Sequence, residues 1–192
     1  MLAAEPLDGL YEALRDCRLQ SALAMLQEDP GRLPVSRVGA LVERLEREVR
    51  QLQEAGEIGA WRRTERHVFA LRALLAHGPQ PRKMIRDVAL APGYAGKFLL
   101  VRLAGGLPDG KLCLRGGDEW HREILRNTVA EMRDLGFSGV EAFALGGGFV
   151  QRKHRQRLRL WGASDEFGRC DMGLAARLLR GAFPQTDIRI ED

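Results

Sequence analysis

The hydrophobic period of this chain changes once, and that change limits the folds open to it. From residue 5 to residue 77 apolar side chains recur at helical steps. Beyond the stretch HGPQPRK they fall into short runs and alternations suited to strands. Pro79 and Pro81 forbid one helix from crossing this junction. The sequence therefore divides into an all-helical part, residues 1–80, and a mixed part, residues 81–192. Each is expected to own a core.

In the first part Leu7, Leu10, Leu14, Leu19, Leu23 and Leu26 form one stripe. Asp29-Pro30-Gly31 breaks it. Ser36 is the expected N-cap of a helix carrying Val38, Leu41, Leu45, Val49 and Leu52, with Gly56 as its stop. A further segment carries Trp61, Val68, Leu71, Leu74 and Leu75 and ends at Gly78. Helices of this length gain most of their stability by packing their stripes together, which predicts an all-α helical hairpin or small bundle. His67 lies beside an apolar stripe. Helical bundles do host phosphoacceptor histidines, but a histidine so placed is more often structural.

The second part reads as strands over 97–103 and 111–115, joined by the turn GGLPDG, then a helix over 119–135 with Ile124, Leu125, Val129 and Met132 inward. A strand over 139–145 is expected to end at Gly146, Gly147 and Gly148. Next comes an alternating strand, with Arg155, Arg157 and Arg159 on one face and Leu158 and Leu160 on the other. A helix over 172–183 and a last strand over 186–191 complete the order β-β-α-β-β-α-β. This is an α+β arrangement, a largely antiparallel or mixed sheet with two packed helices.

Charge and cysteine usage narrow the partners. Residues 1–80 hold 11 Arg against 12 acids, whereas residues 81–192 hold 19 basic residues against 14 acids, so anion binding belongs to the second part. Aromatic residues make up only 6%, too few stacking platforms to favour nucleic acid. No apolar run approaches the ~20 residues of a membrane helix. The N-terminus has early acids and no basic region, unlike a signal peptide. Three scattered cysteines, Cys17, Cys113 and Cys170, fit neither a disulfide framework nor a zinc site. A cytoplasmic protein without membrane, metal or cofactor is expected, with residues 1–80 free to recruit a protein partner or self-associate.

The stretch GDEWHREIL places His121 in the first turn of a helix. Such a position disfavours a positive side chain, and a general base must be neutral to accept a proton. A lone histidine at a helix start is nonetheless usually a solvated surface residue. Lys97 at a strand start is usually a solubilising edge residue. The three glycines either terminate a strand or let a substrate backbone approach closely. The loop GASDEFG either is plain or forms an anion nest from its N–H groups, although the carboxylates of Asp165 and Glu166 would repel phosphate unless they point away. The alternating arginines read first as a solvated strand face.

Taken together, GKFLLVRL, DEWHREI, ALGGG and LRLWGASDEFG occur in an order that resembles the Janus/ocnus family, the small metal-independent protein-histidine phosphatases. The resemblance covers roughly residues 95–192; residues 1–80 have no counterpart in the family's minimal domain. It implies that His121 is the catalytic residue and that Lys97 lies beside it. It further implies that Ser164 and Glu166, with Asp165 between them, hold phosphate through backbone N–H groups, and that Gly162 and Gly168 bracket that loop. Gly147 and Gly148 become candidate substrate contacts. The family commonly carries an arginine after the three glycines. Here that residue is Phe149, leaving Arg152 or Lys153 to supply the charge, while His154 has no assured counterpart. The implied activity is hydrolysis of phosphohistidine on a protein or peptide. His121 would act as a base on water or as the nucleophile itself, exposed in a cleft and contributing little packing. The competing reading is a non-catalytic phosphoprotein-binding module in which Phe149 marks lost catalysis.

Overall fold

The computed structural model describes residues 6–90, 94–117, 120–152 and 157–191. Its elements are α1 (Pro6–Arg15), α2 (Leu19–Glu28), α3 (Val35–Glu54), α4 (Ile58–His77), β1 (Val88–Ala89), β2 (Ala95–Ala104), β3 (Leu112–Gly116), α5 (His121–Asp134), β4 (Glu141–Arg152), β5 (Arg157–Trp161), α6 (Met172–Ala182) and β6 (Asp187–Ile190). The chain divides into two compact units, one of residues 1–85 with 131–139 and one of residues 86–130 with 140–192, so that the division falls inside α5.

In the first unit the stripe expected to form one helix is two. Cys17 takes a left-handed conformation, φ 56°, between α1 and α2. The Arg18 N–H reaches Ala13 O at 2.8 Å and the Cys17 N–H reaches Leu14 O at 3.3 Å, a helix C-terminus of the Schellman type with cysteine where glycine is usual. Gly136, φ 73°, closes α5 in the same way, with Phe137 N–H on Met132 O and Gly136 N–H on Arg133 O. The two caps pack on each other: a Cβ at Gly136 would lie 2.5 Å from Cys17 O. Met132, Leu135 and Phe137 are buried in this unit. Gly56 and Gly78 end α3 and α4 as the sequence predicts. Ser36 is not the cap of α3, because the helix starts two residues earlier than such a cap would set it, at Val35 after Pro34, with no side-chain cap.

In the second unit the sheet order is β1-β3-β2-β4-β5-β6. The two outer pairs, β1 with β3 and β5 with β6, are parallel and the rest antiparallel. The fold is α+β with a mixed sheet. α6 is capped by Asp171, whose carboxylate accepts from the Leu174 N–H at 2.8 Å. The buried Met172, Ala175, Ala176 and Leu179 of α6 cluster with Phe98, Leu100, Leu114, Val150, Leu158 and Leu160. Alternation sends Leu99, Val101 and Leu103 to the opposite face, where they are also buried. Leu158 and Leu160 enter the core while Arg157 and Arg159 face away and pair with Asp187 of the neighbouring strand and with Glu191 just beyond it. Arg155 lies outside the described residues.

His67 is buried in the helical unit, and its Nε2–H donates to Leu14 O at 2.7 Å. The ring is thus a structural tie between α4 and α1. Burial holds its pKa below the ordinary imidazole value, Arg44 acts in the same sense, and the Leu14 bond opposes them less strongly. The unfolded chain therefore takes up a proton first as pH falls. The stabilisation is complete above the unfolded value of about 6.5 and declines as pH drops from there toward the depressed folded value. In urea titrations, His67→Gln should be less stable than the parent above about pH 7, and the gap should narrow by about pH 5.5. A gap independent of pH over that range would refute the linkage.

Candidate functional site

The site is built on one face of the β2-β4-β5 strands. Lys97 of β2 lies opposite Phe149 of β4, which in turn lies opposite Trp161 of β5. Directly paired residues project from the same face, so these three side chains form a row across the sheet. Gly147 precedes Phe149 by two residues and shares that face. The space in front of it is filled by the His121 ring. A Cβ at Gly147 would lie 3.0 Å from both Cδ2 and Nε2 of His121 and 2.6 Å from Phe98 O.

His121 is the first residue of α5, for the Trp120 carbonyl already accepts from the Ile124 N–H at 3.2 Å. The residue is only 7% exposed, not open in a cleft as expected. It meets Phe149 edge to face at 6.2 Å, and Phe149 stacks on Trp161 at 5.7 Å. His121 Nε2 lies 3.3 Å from Gly148 O. A carbonyl oxygen only accepts, so this contact requires the proton on Nε2 and leaves the lone pair on Nδ1.

The glycine stretch does not end β4, which continues to Arg152. Nor do the missing side chains leave open space for a substrate. Gly147 makes room for His121. On the opposite face, a Cβ at Gly148 would meet Met172 Cε and Trp161 O at 2.8 Å. Gly146, φ 102°, lies at a bulge between the Leu99–Gly147 and Val101–Ala144 pairings, and a Cβ there would lie within 3 Å of the Arg169 and Cys170 backbone.

The loop after β5 is anchored to the same stretch. The Gly147 N–H donates to Gly168 O at 2.9 Å. Within the loop Ser164 and Gly168 exchange both backbone hydrogen bonds, at 3.1 and 2.9 Å, and Ser164 Oγ accepts from the Phe167 N–H at 3.2 Å. The expectation that the Ser164 N–H holds phosphate fails on this point, because that N–H is already committed to the turn and Ser164 is buried. Among the described residues the N–H groups of Asp165 and Glu166, at the exposed tip, have no acceptor. Gly162, φ 71°, lets the chain pass beneath the Phe149 ring, which a Cβ there would meet at 2.9 Å.

Positive charge reaches the site from three side chains, one of them Arg159, whose guanidinium lies 4.4 Å from the Trp161 ring centre. Lys97 Nζ sits 4.6 Å from the Trp120 ring centre, and the Arg122 guanidinium lies 5.9 Å from it. Trp120 is 53% exposed and directly precedes His121, an arrangement that sequence reasoning missed. Its signal was the DEWHRE string itself, an aromatic flanked by charges at a helix start. Arg152 is exposed at the end of β4, opposite Leu158. Lys153 and His154 lie outside the described residues. No group of three or more His, Cys, Asp or Glu side chains among the described residues is placed to hold a metal ion. No described helix is long and apolar enough to cross a membrane.

Comparison with known proteins finds one family. A sequence model of the Janus/Ocnus family (Ocnus) matches residues 82–187. The sex-regulated protein janus-A of Drosophila pseudoobscura pseudoobscura is 24% identical over 147 residues, covering 72% of this chain and 97% of that protein. The janus-A protein of Drosophila yakuba is 27% identical over 108 residues, covering 55% of this chain and 78% of the relative.

The contact between Gly147 and His121 is testable by adding one methyl group. Gly147→Ala should cost about 1–3 kcal/mol, the range for overpacking a filled site, and should shift the His121 ring resonances. Gly39→Ala in the middle of α3, where a Cβ meets nothing within 4 Å, should instead stabilise by up to about 1 kcal/mol. Urea unfolding of both variants checks this, and equal effects at the two positions would contradict the packing described.

Proposed function

The chain belongs to the Janus/Ocnus family, and we propose that it hydrolyses phosphohistidine on a protein or peptide, with His121 activating the attacking water and no metal in the step. The observation that carries this reading is the 3.3 Å contact between His121 Nε2 and Gly148 O, which calls for the proton on Nε2. Nε2–H is held by Gly148 O, so Nδ1 is the atom available to take a proton from water. The water oxygen forms the new P–O bond while the P–N bond breaks. The substrate imidazole leaves with the bonding pair and is reprotonated from solvent. Because that bond is labile, positioning a water and steadying charge on the phosphoryl oxygens are the main tasks. Lys97 and Arg122 supply cations near His121, and the N–H groups of Asp165 and Glu166 supply donors. Ser164, Gly162 and Gly168 serve by shaping the turn that presents those donors.

Phe149 favours a second reading, a phosphoprotein-binding module without turnover. Its ring occupies the position after the three glycines and packs on His121 without offering any charge. We favour hydrolysis because the same packing fixes the ring that must act as base. Residues 1–80 are proposed to recruit a protein partner or to self-associate. A cytoplasmic location is supported by three cysteines that form no disulfide, Cys17, Cys113 and Cys170.

The test is release of phosphate from a phosphohistidine peptide by the full chain in the presence of EDTA. Because the ring is buried, His121→Ala leaves a hole. His121→Gln, which keeps an N–H able to reach Gly148 O, separates chemistry from folding. Both variants should lose more than about tenfold in rate, about 1.4 kcal/mol of barrier, while the Gln variant keeps the parent's unfolding midpoint. Rapid quench should find no phosphate on the enzyme at any time, as a base requires. Activity retained in the Gln variant, or lost on chelation and restored by a divalent metal, would overturn the assignment.

A further inference from the structure

β4 is paired along its whole length on one side and along only part of it on the other. β2 runs beside it from Glu141 to Gln151, but β5 begins only at Phe149. The direction of the uncovered groups follows from β2. The Leu103 N–H donates to Lys111 O, and Leu103 O accepts from the Gly110 N–H, both at 2.8 Å, so Leu103 turns its backbone groups toward β3. In an antiparallel ladder neighbours alternate. Arg102 and Ala104 therefore turn toward β4, opposite Phe143 and Glu141. Ala142, opposite Leu103, and Ala144, opposite Val101, turn their N–H and C=O groups outward. Among the described residues nothing pairs with them there.

Two unpaired donors and two unpaired acceptors at strand spacing form a template for another extended backbone. Phe143 and Leu145 flank them on one face, 43% and 40% exposed, with Arg102 stacked 6.0 Å from the Phe143 ring centre. The open edge leads into the site. About 10 Å beyond Ala144, at three residues of strand rise, the Gly147 backbone is taken by Gly168 and Cys170 of the loop. A segment lying on the open edge must leave it there, where the loop that carries the Ser164–Gly168 turn takes over the pairing of β4 next to the backbone that packs on His121.

We propose that the edge of β4 at Glu141–Leu145 receives an extended segment of the phosphohistidine-bearing protein by strand addition. Pairing is with Ala142 and Ala144, and the segment has apolar side chains at alternate positions over Phe143 and Leu145. This rests on the phosphohistidine reading of the neighbouring pocket. It makes recognition of the polypeptide separate from recognition of the phosphoryl group: backbone pairing holds the chain, and the loop and Lys97 hold the charge.

The probe is a ten-residue peptide carrying a stable phosphoryl-triazole analogue of phosphohistidine, with valine at alternate flanking positions. On saturating the full chain with it, amide exchange at Ala142 and Ala144 should slow by at least about tenfold. Ala144→Pro removes an outward N–H and no bond of the β2 ladder. It should weaken peptide binding by about tenfold or more and leave hydrolysis of phosphoramidate, a small P–N compound, unchanged. Binding that leaves exchange at both alanines unaltered would overturn the proposal. So would parent-like affinity in the Pro variant, failure of the parent to bind the peptide, or a parental dimer that the Pro substitution dissociates. The underlying function is judged separately: protection of both amides with no hydrolysis of either phosphohistidine peptide or phosphoramidate would uphold the edge and refute the hydrolase.

Discussion

The contact between the His121 ring and the backbone at Gly147 and Gly148 organises the second unit. The ring occupies the volume a side chain at Gly147 would fill, and its Nε2–H reaches Gly148 O. One strand segment thus fixes where the histidine lies and which nitrogen bears its proton. The same segment binds the Ser164–Gly168 turn through the Gly147 N–H and admits Met172 of α6 on its other face. Side chains at these two positions would separate histidine, loop and core helix together. The glycines are there for packing from both sides, and the conformation of the strand, apart from Gly146, does not demand them.

Phe149 illustrates how an apolar residue takes part in a charged site. It holds His121 edge-on and stacks on Trp161, so the ring is restrained laterally as well as by its hydrogen bond. What it does not provide is positive charge. That comes from Lys97 and Arg122, gathered at the exposed Trp120, and from Arg159 over the Trp161 ring. The lysine is opposite Phe149 in register, and Arg122 is the residue after His121. Sheet register and helix start therefore deliver the cations without an arginine in place of Phe149.

Much of this was legible in the sequence, and the failures have identifiable physical causes. The change of period at Pro79 and Pro81, the strands over 97–103 and 111–115, the alternating strand that carries Leu158 and Leu160 and both helices of the second part follow from side-chain spacing alone. The split between α1 and α2 did not, because the left-handed residue is Cys17, and no glycine announces it. β1 is two residues long and exists only through its pairing with β3. Gly146–Gly148 looked like a terminator because a local reading sees missing side chains as weakness; their purpose depends on His121 and Met172, distant in sequence. For the same reason the burial of His121 was not legible: a first-turn histidine is covered only by what folds against it. The commitment of the Ser164 N–H to Gly168 is likewise a matter of turn geometry that residue types do not report. The return of residues 131–139 to the helical unit, through Gly136 packed on Cys17, has no signature in the hydrophobic pattern.

The account stands or falls on the proton position in the His121 ring, since the base role assigned to Nδ1 follows from the bond between Nε2–H and Gly148 O. Nitrogen-15 chemical shifts of a histidine-labelled full chain, recorded where the ring is neutral and assigned with His121→Gln, measure it directly. The account predicts a protonated Nε2 coupled to its own hydrogen and a bare, lone-pair-bearing Nδ1. A His121 ring carrying its proton on Nδ1 would contradict it.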